Sequence, residues 1–326
     1  MTPTFQSIPP GHCQDLDQPA ALDVSVHRWE QVEIDALTLA QAAQRPLLVR
    51  GEPGTGKTQL ARAAAQHLGA TLLSVTIHPR FDPQDLLYRV DAMRRLADAQ
   101  AGELKGDEHY WQPGPLWQAF GWDSARAYGH CRSLPRPTGH VILIDEIDKA
   151  DSDLPNSLLE VLGQRSFVIE PLQLPVGGPG APQPLVVITT NEERELPIAF
   201  LRRCVVLNLA PDSKLSYRDW LVQRGQAHFG PRTGRPVPRL AADVITAGAD
   251  QLVEDRNAAD AAGQQAPGPA EYLDLLGALA RLAAGDGEAQ RQWMQRLSAY
   301  AYIKHSPVEG HPLMTQGRKP LGMPAG

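Results

Sequence analysis

LLVRGEPGTGKTQLARAAAQHL, residues 47–68, decides the fold. Its first four residues, Leu47–Arg50, have the length and content of a buried strand. They run without a break into Gly51, Glu52, Pro53, Gly54, Thr55, Gly56, Lys57 and Thr58, and helical spacing resumes over 58–68. The eight residues fit G-x-x-x-x-G-K-[ST], a loop whose glycines let backbone N–H groups curl around a phosphate. In that arrangement Lys57 reaches the β- and γ-oxygens, Thr58 holds Mg²⁺, and the positive end of the following helix adds to the field. Chains of this composition match the pattern by chance roughly once in three hundred. The strand before it and the helix after it make chance a poorer account still, so ATP with Mg²⁺ is the expected ligand.

Downstream, HVILIDEIDKA (140–150) ends an apolar strand on Asp145 and Glu146. At the carboxyl end of a buried strand, the first acid can hold the metal and the second can activate water at the γ-phosphate. Two acids after an apolar strand are common by themselves; paired with the upstream loop they point to hydrolysis. Asp148 and Lys149 read as a solvated helix start. Short apolar runs at 47–50, 71–76, 140–144 and 185–189, with helices read between them, give an α/β domain with a parallel sheet covered on both faces.

GEPGTGKT, LIDEIDKA and VVITTN resemble the Walker A, Walker B and sensor 1 segments of AAA+ ATPases. Within that superfamily the chain is most similar to the MoxR-like group of the helix-2-insert clade. QPGPL (112–116), NSLLEVLGQRSFVI (156–169) and LPIAFLRRCV (196–205) carry that closer likeness. The resemblance implies a P-loop NTPase sheet sandwiched by helices, followed by a small all-α lid. It implies that Asn191 polarises the attacking water and that Arg203, with Arg202 in reserve, is the finger that reaches a neighbouring subunit's nucleotide. A homo-oligomeric ring, a hexamer, follows from a finger acting in trans, as does a protein client, such as a von Willebrand A domain partner. One departure stands out: GPAEYLDLLGALARL (268–282) places Glu271 where many AAA+ lids carry a sensor 2 arginine, and Arg281 lies about three turns later.

The remaining sequence sets the frame. Residues 1–26 read as a loose arm, 27–211 as the nucleotide-binding domain with inserts at 83–132 and 171–184, 212–303 as the lid, and 304–326 as an extended tail. Tyr88, Tyr110, Trp111, Trp117 and Trp122 fall in the first insert; that region is expected to meet substrate, while any single aromatic in it is read as core or hairpin packing. A net charge of −6 gives no electrostatic footprint for nucleic acid, and Cys13, Cys131 and Cys204 are too few and scattered for a disulfide framework. No basic-then-apolar leader and no membrane-length run occurs, so a cytoplasmic protein is expected. The leading reading is an ATP-driven remodeller. Its alternatives are an ATPase module of a multi-protein bacterial conflict or signalling system, and a nucleotide-dependent scaffold with negligible turnover.

Overall fold

The structure, a computed structural model, describes residues 4–16, 25–150, 153–211, 215–231 and 239–303. The tail at 304–326 lies outside them. The chain forms two units. The first holds Met1–Asp17, Trp29–Gly51 and Lys57–Leu209; the second holds Gln18–Arg28, Glu52–Gly56 and Ala210–Gly326.

The first unit is built on a five-stranded, all-parallel sheet. Its strands are β1 (Leu47–Arg50), β2 (Thr71–Thr76), β3 (His140–Asp145), β4 (Leu185–Thr190) and β5 (Val205–Asn208), in the order β5-β1-β4-β3-β2. Because successive side chains point to opposite faces, the unbroken apolar runs of β1, β3 and β4 serve two cores at once. Leu48, Ile142, Ile144, Val186 and Ile188 join one, with Trp117, Leu158 and Phe200. Leu47, Val49, Val141, Leu143 and Val187 join the other, beneath α1 (Gln31–Ala43) and α2 (Lys57–Leu68). The alanines Ala61, Ala63, Ala64 and Ala65 of α2 are buried there, and such small side chains let a helix lie close to a sheet.

Four differences from the sequence reading have physical causes. Thr71–Thr76, expected to be buried, is the sheet's edge strand, and none of its residues is fully buried. β5, four residues long and set inside a segment that stands out for its arginines, is a strand the sequence reading does not contain. Residues 4–16, read as a loose arm, pack on α2: Phe5, Ile8 and Leu16 are buried, Phe5 rings against Trp29 and His67, and Gln14 links Trp29 Nε1 (2.8 Å) to the Ala63 carbonyl (3.3 Å). Three widely spaced apolar residues make no periodic signal. The insert aromatics Tyr88, Tyr110, Trp111, Trp117 and Trp122 are all buried, around a hairpin of Tyr88–Val90 with Trp111–Pro113. For these aromatics the packing reading holds. The Pro/Gly stretch at 171–184 begins with the return strand of a second hairpin, Ser166–Ile169 with Leu174–Gly177.

The second unit is helical, with α3 (Tyr217–Phe229), α4 (Ala242–Ala261), α5 (Pro269–Leu282) and α6 (Gly287–Tyr302) around one core. Tyr272 lies at its centre, fully buried, and donates its hydroxyl to the Ile245 carbonyl at 2.9 Å. Gly225 of α3 makes room for it, since a Cβ there would stand 2.4 Å from the Tyr272 hydroxyl and 2.7 Å from Ile245 Cγ2. Gly225→Ala is therefore expected to lose about 1–2 kcal/mol, overpacking outweighing the helix propensity gained, as read from urea unfolding.

Candidate functional site

In a parallel α/β sheet the carboxyl strand ends are where loops can converge on a ligand, and here β1, β4 and β3 are neighbours. β1 ends at Arg50 and the phosphate loop follows at once. Gly54 (φ +81°) and Gly56 (φ +99°) take backbone conformations that a side chain resists, and these curl the loop. Thr55 is buried and donates its hydroxyl to the Glu52 carbonyl at 2.8 Å. Lys57 opens α2, and its ammonium donates to the Gly51 carbonyl at 2.6 Å. Burial pulls its pKa below the ordinary lysine range, while Asp145, Asp148, Glu146 and Glu192 oppose that shift. Lys57 is thus a buried cation in an acidic surround.

Thr58 and Asp145 meet directly. The Thr58 hydroxyl lies 3.0 and 3.3 Å from the two Asp145 carboxylate oxygens. Thr189 of β4 ties down both acids: its hydroxyl hydrogen-bonds the Asp145 carboxylate and accepts from the Glu146 backbone N–H at 3.0 Å. Glu146 itself sits in the left-handed region (φ 62°), a conformation of the kind found where a side chain must be re-aimed at a functional site. Its carboxylate accepts from Lys149 Nζ at 2.9 Å and from Asn191 Nδ2 at 3.4 Å.

Asp148 and Lys149, read as a solvated helix start, have other positions. Asp148 is 2% exposed, and its carboxylate accepts from the backbone N–H groups of Asn191 (3.2 Å) and Glu193 (3.0 Å), fixing the turn after β4. Lys149 pairs with Glu146, and that hydrogen bond raises the lysine's pKa. Their place three and four residues after Asp145 is a usable signal, since the short 3₁₀ turn Ile147–Lys149 brings them back toward the strand ends. Thr189, in the ITT of VVITTN, gives no such signal.

Lys57, Thr58, Asp145, Glu146 and Asn191 are therefore one cluster within the first unit. Arg202 and Arg203 are not part of it. They follow a short helix, Ile198–Leu201, and both are exposed. Arg45 holds their backbone: its guanidinium donates to the carbonyls of Arg202 and of Arg203, the latter at 3.0 Å. Among the described residues neither Arg202 nor Arg203 has a side-chain hydrogen bond or ion pair. Glu52, in the loop tip that belongs to the second unit, is gripped by Arg256 of α4 in a two-pronged ion pair at 2.7 and 3.1 Å.

Residues 46–204 match the family described as AAA domain (dynein-related subfamily). That stretch, just under half of the chain, is what is similar to an AAA domain. Over 142 residues it is 27% identical to an uncharacterized protein of Methanocaldococcus jannaschii, a match covering 44% of this chain and 30% of that protein. It is 33% identical over 115 residues to Chaperone protein ClpB 1 of Nostoc sp., covering 35% of this chain and 11% of that one. The matched stretches thus span less than a third of these curated relatives. Among solved structures, a proline-to-glycine mutant of Thermotoga maritima RuvB has a TM-score of 0.43 at 16% identity, covering 81% of this chain and 69% of that chain. The five-stranded parallel sheet flanked by helices, with the phosphate loop after β1, is a P-loop AAA fold, and a helical unit follows it in the chain. No helix among the described residues is long and apolar enough to cross a membrane.

Proposed function

We propose that the chain binds and hydrolyses ATP, and that it works as a MoxR-like ring ATPase that remodels a partner protein. The observation that carries the hydrolytic reading is the meeting of Lys57, Thr58, Asp145, Glu146 and Asn191 at three adjacent strand ends. Lys57, with the loop N–H groups, would hold the β- and γ-phosphates. Glu146 would take a proton from the attacking water, and Asn191, already beside that carboxylate, would orient the water. Lys149 sets the direction of the Glu146 carboxylate before substrate arrives.

The donor set fits a hard divalent cation, because Thr58 Oγ1 and the Asp145 carboxylate present oxygen ligands side by side. Bound there, Mg²⁺ would neutralise charge on the transferring phosphoryl group. The exposed pair Arg202 and Arg203 supports the ring, since a guanidinium held outward by its backbone is available to a neighbouring copy's nucleotide. Client remodelling, and a von Willebrand A domain partner, rest on the MoxR likeness alone.

The test is Lys57→Ala. Removing the ammonium from the loop is expected to weaken ATP binding by about a hundredfold, the loss of charge-assisted contacts to two phosphate oxygens, as measured by calorimetry. Unchanged affinity would remove the phosphate-loop assignment. A scaffold with negligible turnover is the second reading, and Glu271 favours it: its carboxylate caps Gly268 N–H at 3.0 Å where a lid arginine was the alternative. Steady-state hydrolysis measured against protein concentration separates the two.

A further inference from the structure

At the end of the sheet away from the phosphate loop, where β1, β3 and β4 begin, lies a cavity of about 240 Å³, lined wholly by residues of the first unit. Leu162, Phe120 and Val186 give it an apolar wall, and Arg165, Arg45 and glutamines give it a polar one. None of the described residues that line it is an aspartate or a glutamate. Neutral groups hold both guanidiniums instead. Arg165 Nη2 donates to Gln44 Oε1 at 2.8 Å, and the Gln183 amide oxygen, turned toward the guanidinium, accepts from Nε at 2.9 Å and from Nη1. Arg45 donates to the backbone carbonyls of Arg202 and Arg203. Among the described residues neither Arg45 nor Arg165 makes an ion pair. Amide partners fix the plane of a guanidinium without neutralising it, so the charge and the second N–H of each terminal nitrogen are left for an anion.

The backbone and the cavity floor point the same way. Gln44 ends α1 and Arg165 follows the helix Asp153–Gln164; both have a φ of 54°, the left-handed conformation in which glycine is the usual residue after a helix. Two side chains that meet at this cavity therefore stand where side chains are disfavoured, and such conformations cluster at binding sites. His140, at the start of β3, also lines the cavity. It is 8% exposed, and its Nε2 is buried with no hydrogen-bond partner among the described residues. Buried polar atoms of that kind are rare in folded proteins unless a water or a ligand completes them.

We propose that this cavity binds a small organic carboxylate with an apolar body, its carboxylate on Arg165 with Arg45 adding charge, and its body against Leu162, Phe120 and Val186. The volume sets the size: it falls below the roughly 300–1,000 Å³ of pockets for drug-sized ligands, which is too small for a nucleotide and suits a molecule of about the size of benzoate. A phosphate ion would satisfy the arginines but would set a wholly polar ligand against the apolar wall. The site uses none of the nucleotide-binding residues, so it stands or falls independently of ATP hydrolysis.

Benzoate, benzamide and inorganic phosphate are titrated separately into the full chain, with binding read by calorimetry. Benzoate is expected to saturate with a Kd of about 1 mM or lower, as suits a ligand of so few atoms. Benzamide has the same outline without the charge and should bind at least about tenfold more weakly, as should phosphate, which lacks the apolar body. Arg165→Met keeps an apolar stem and removes the cation, and is expected to weaken benzoate by about tenfold or more. Should Arg165→Met fail to fold, Gln183→Glu takes its place: the carboxylate it introduces lies on the guanidinium and competes with that of benzoate, lowering affinity by about the same factor. No saturation by benzoate up to about 10 mM overturns the proposal, and so does benzamide or phosphate binding as tightly as benzoate. Benzoate affinity within about twofold of the unmodified protein in the variant that folds overturns it as well.

Discussion

Glu146→Gln is expected to bind ATP as the unmodified protein does while its turnover falls by about 10²–10⁴-fold, the usual contribution of a positioned general base. The amide keeps the shape of the carboxylate and can still hydrogen-bond Asn191, but it cannot take a proton. The neighbourhood of Glu146 should survive, because its backbone is fixed independently by the bond from its N–H to Thr189 and by the left-handed turn. What the amide loses in the resting state is the ion pair with Lys149, in which each side chain is about a third exposed (31% and 33%). Exposed pairs of that kind contribute little to stability, so the thermal midpoint should barely move. Single-turnover hydrolysis alongside equilibrium ATP binding checks both halves. Hydrolysis at the parental rate would place the base elsewhere, and Asp148 would not be the substitute, because two backbone N–H groups already bind its buried carboxylate.

The sheet and the phosphate loop are legible in the sequence because their signals are local. A four-residue apolar run, glycines at fixed offsets and an apolar strand ending in two acids each lie within about ten residues. The five-residue cluster is legible for the same reason, once each motif is placed at a strand end. What is not legible depends on pairing across the chain. Thr71–Thr76 resembles the central strands in composition, and only the strand order makes it an edge. Asp148 stands next to Lys149 in a charged stretch of sequence, and its burial comes with the turn after β4, more than forty residues on. Arg256 looks like an ordinary surface charge on a helix, at helical spacing from nothing that marks it. Its closeness to the loop tip exists only in the folded unit.

The last expectation concerns Arg203 and tests assembly through chemistry. If the arginine reaches a neighbouring copy's nucleotide, Arg203→Ala should bind ATP normally and hydrolyse it about 10²-fold or more slowly, as expected when a cation is withdrawn from the transition state. Its own Lys57, Asp145 and Glu146 are untouched, and the backbone at 203 stays in place because Arg45 binds carbonyl oxygens that alanine retains. Lys57→Ala fails for the opposite reason, with a defective pocket and an intact finger. Mixed together, the two variants form interfaces that pair the good pocket of one with the good finger of the other, and activity should return. Arg202→Ala in the same experiment decides between neighbours, since the two side chains leave adjacent positions of one turn and only one can be essential to a single phosphate contact. A mixture that co-assembles by light scattering and stays inactive with either arginine variant would remove the finger from this segment, and with it the chief structural support for a ring.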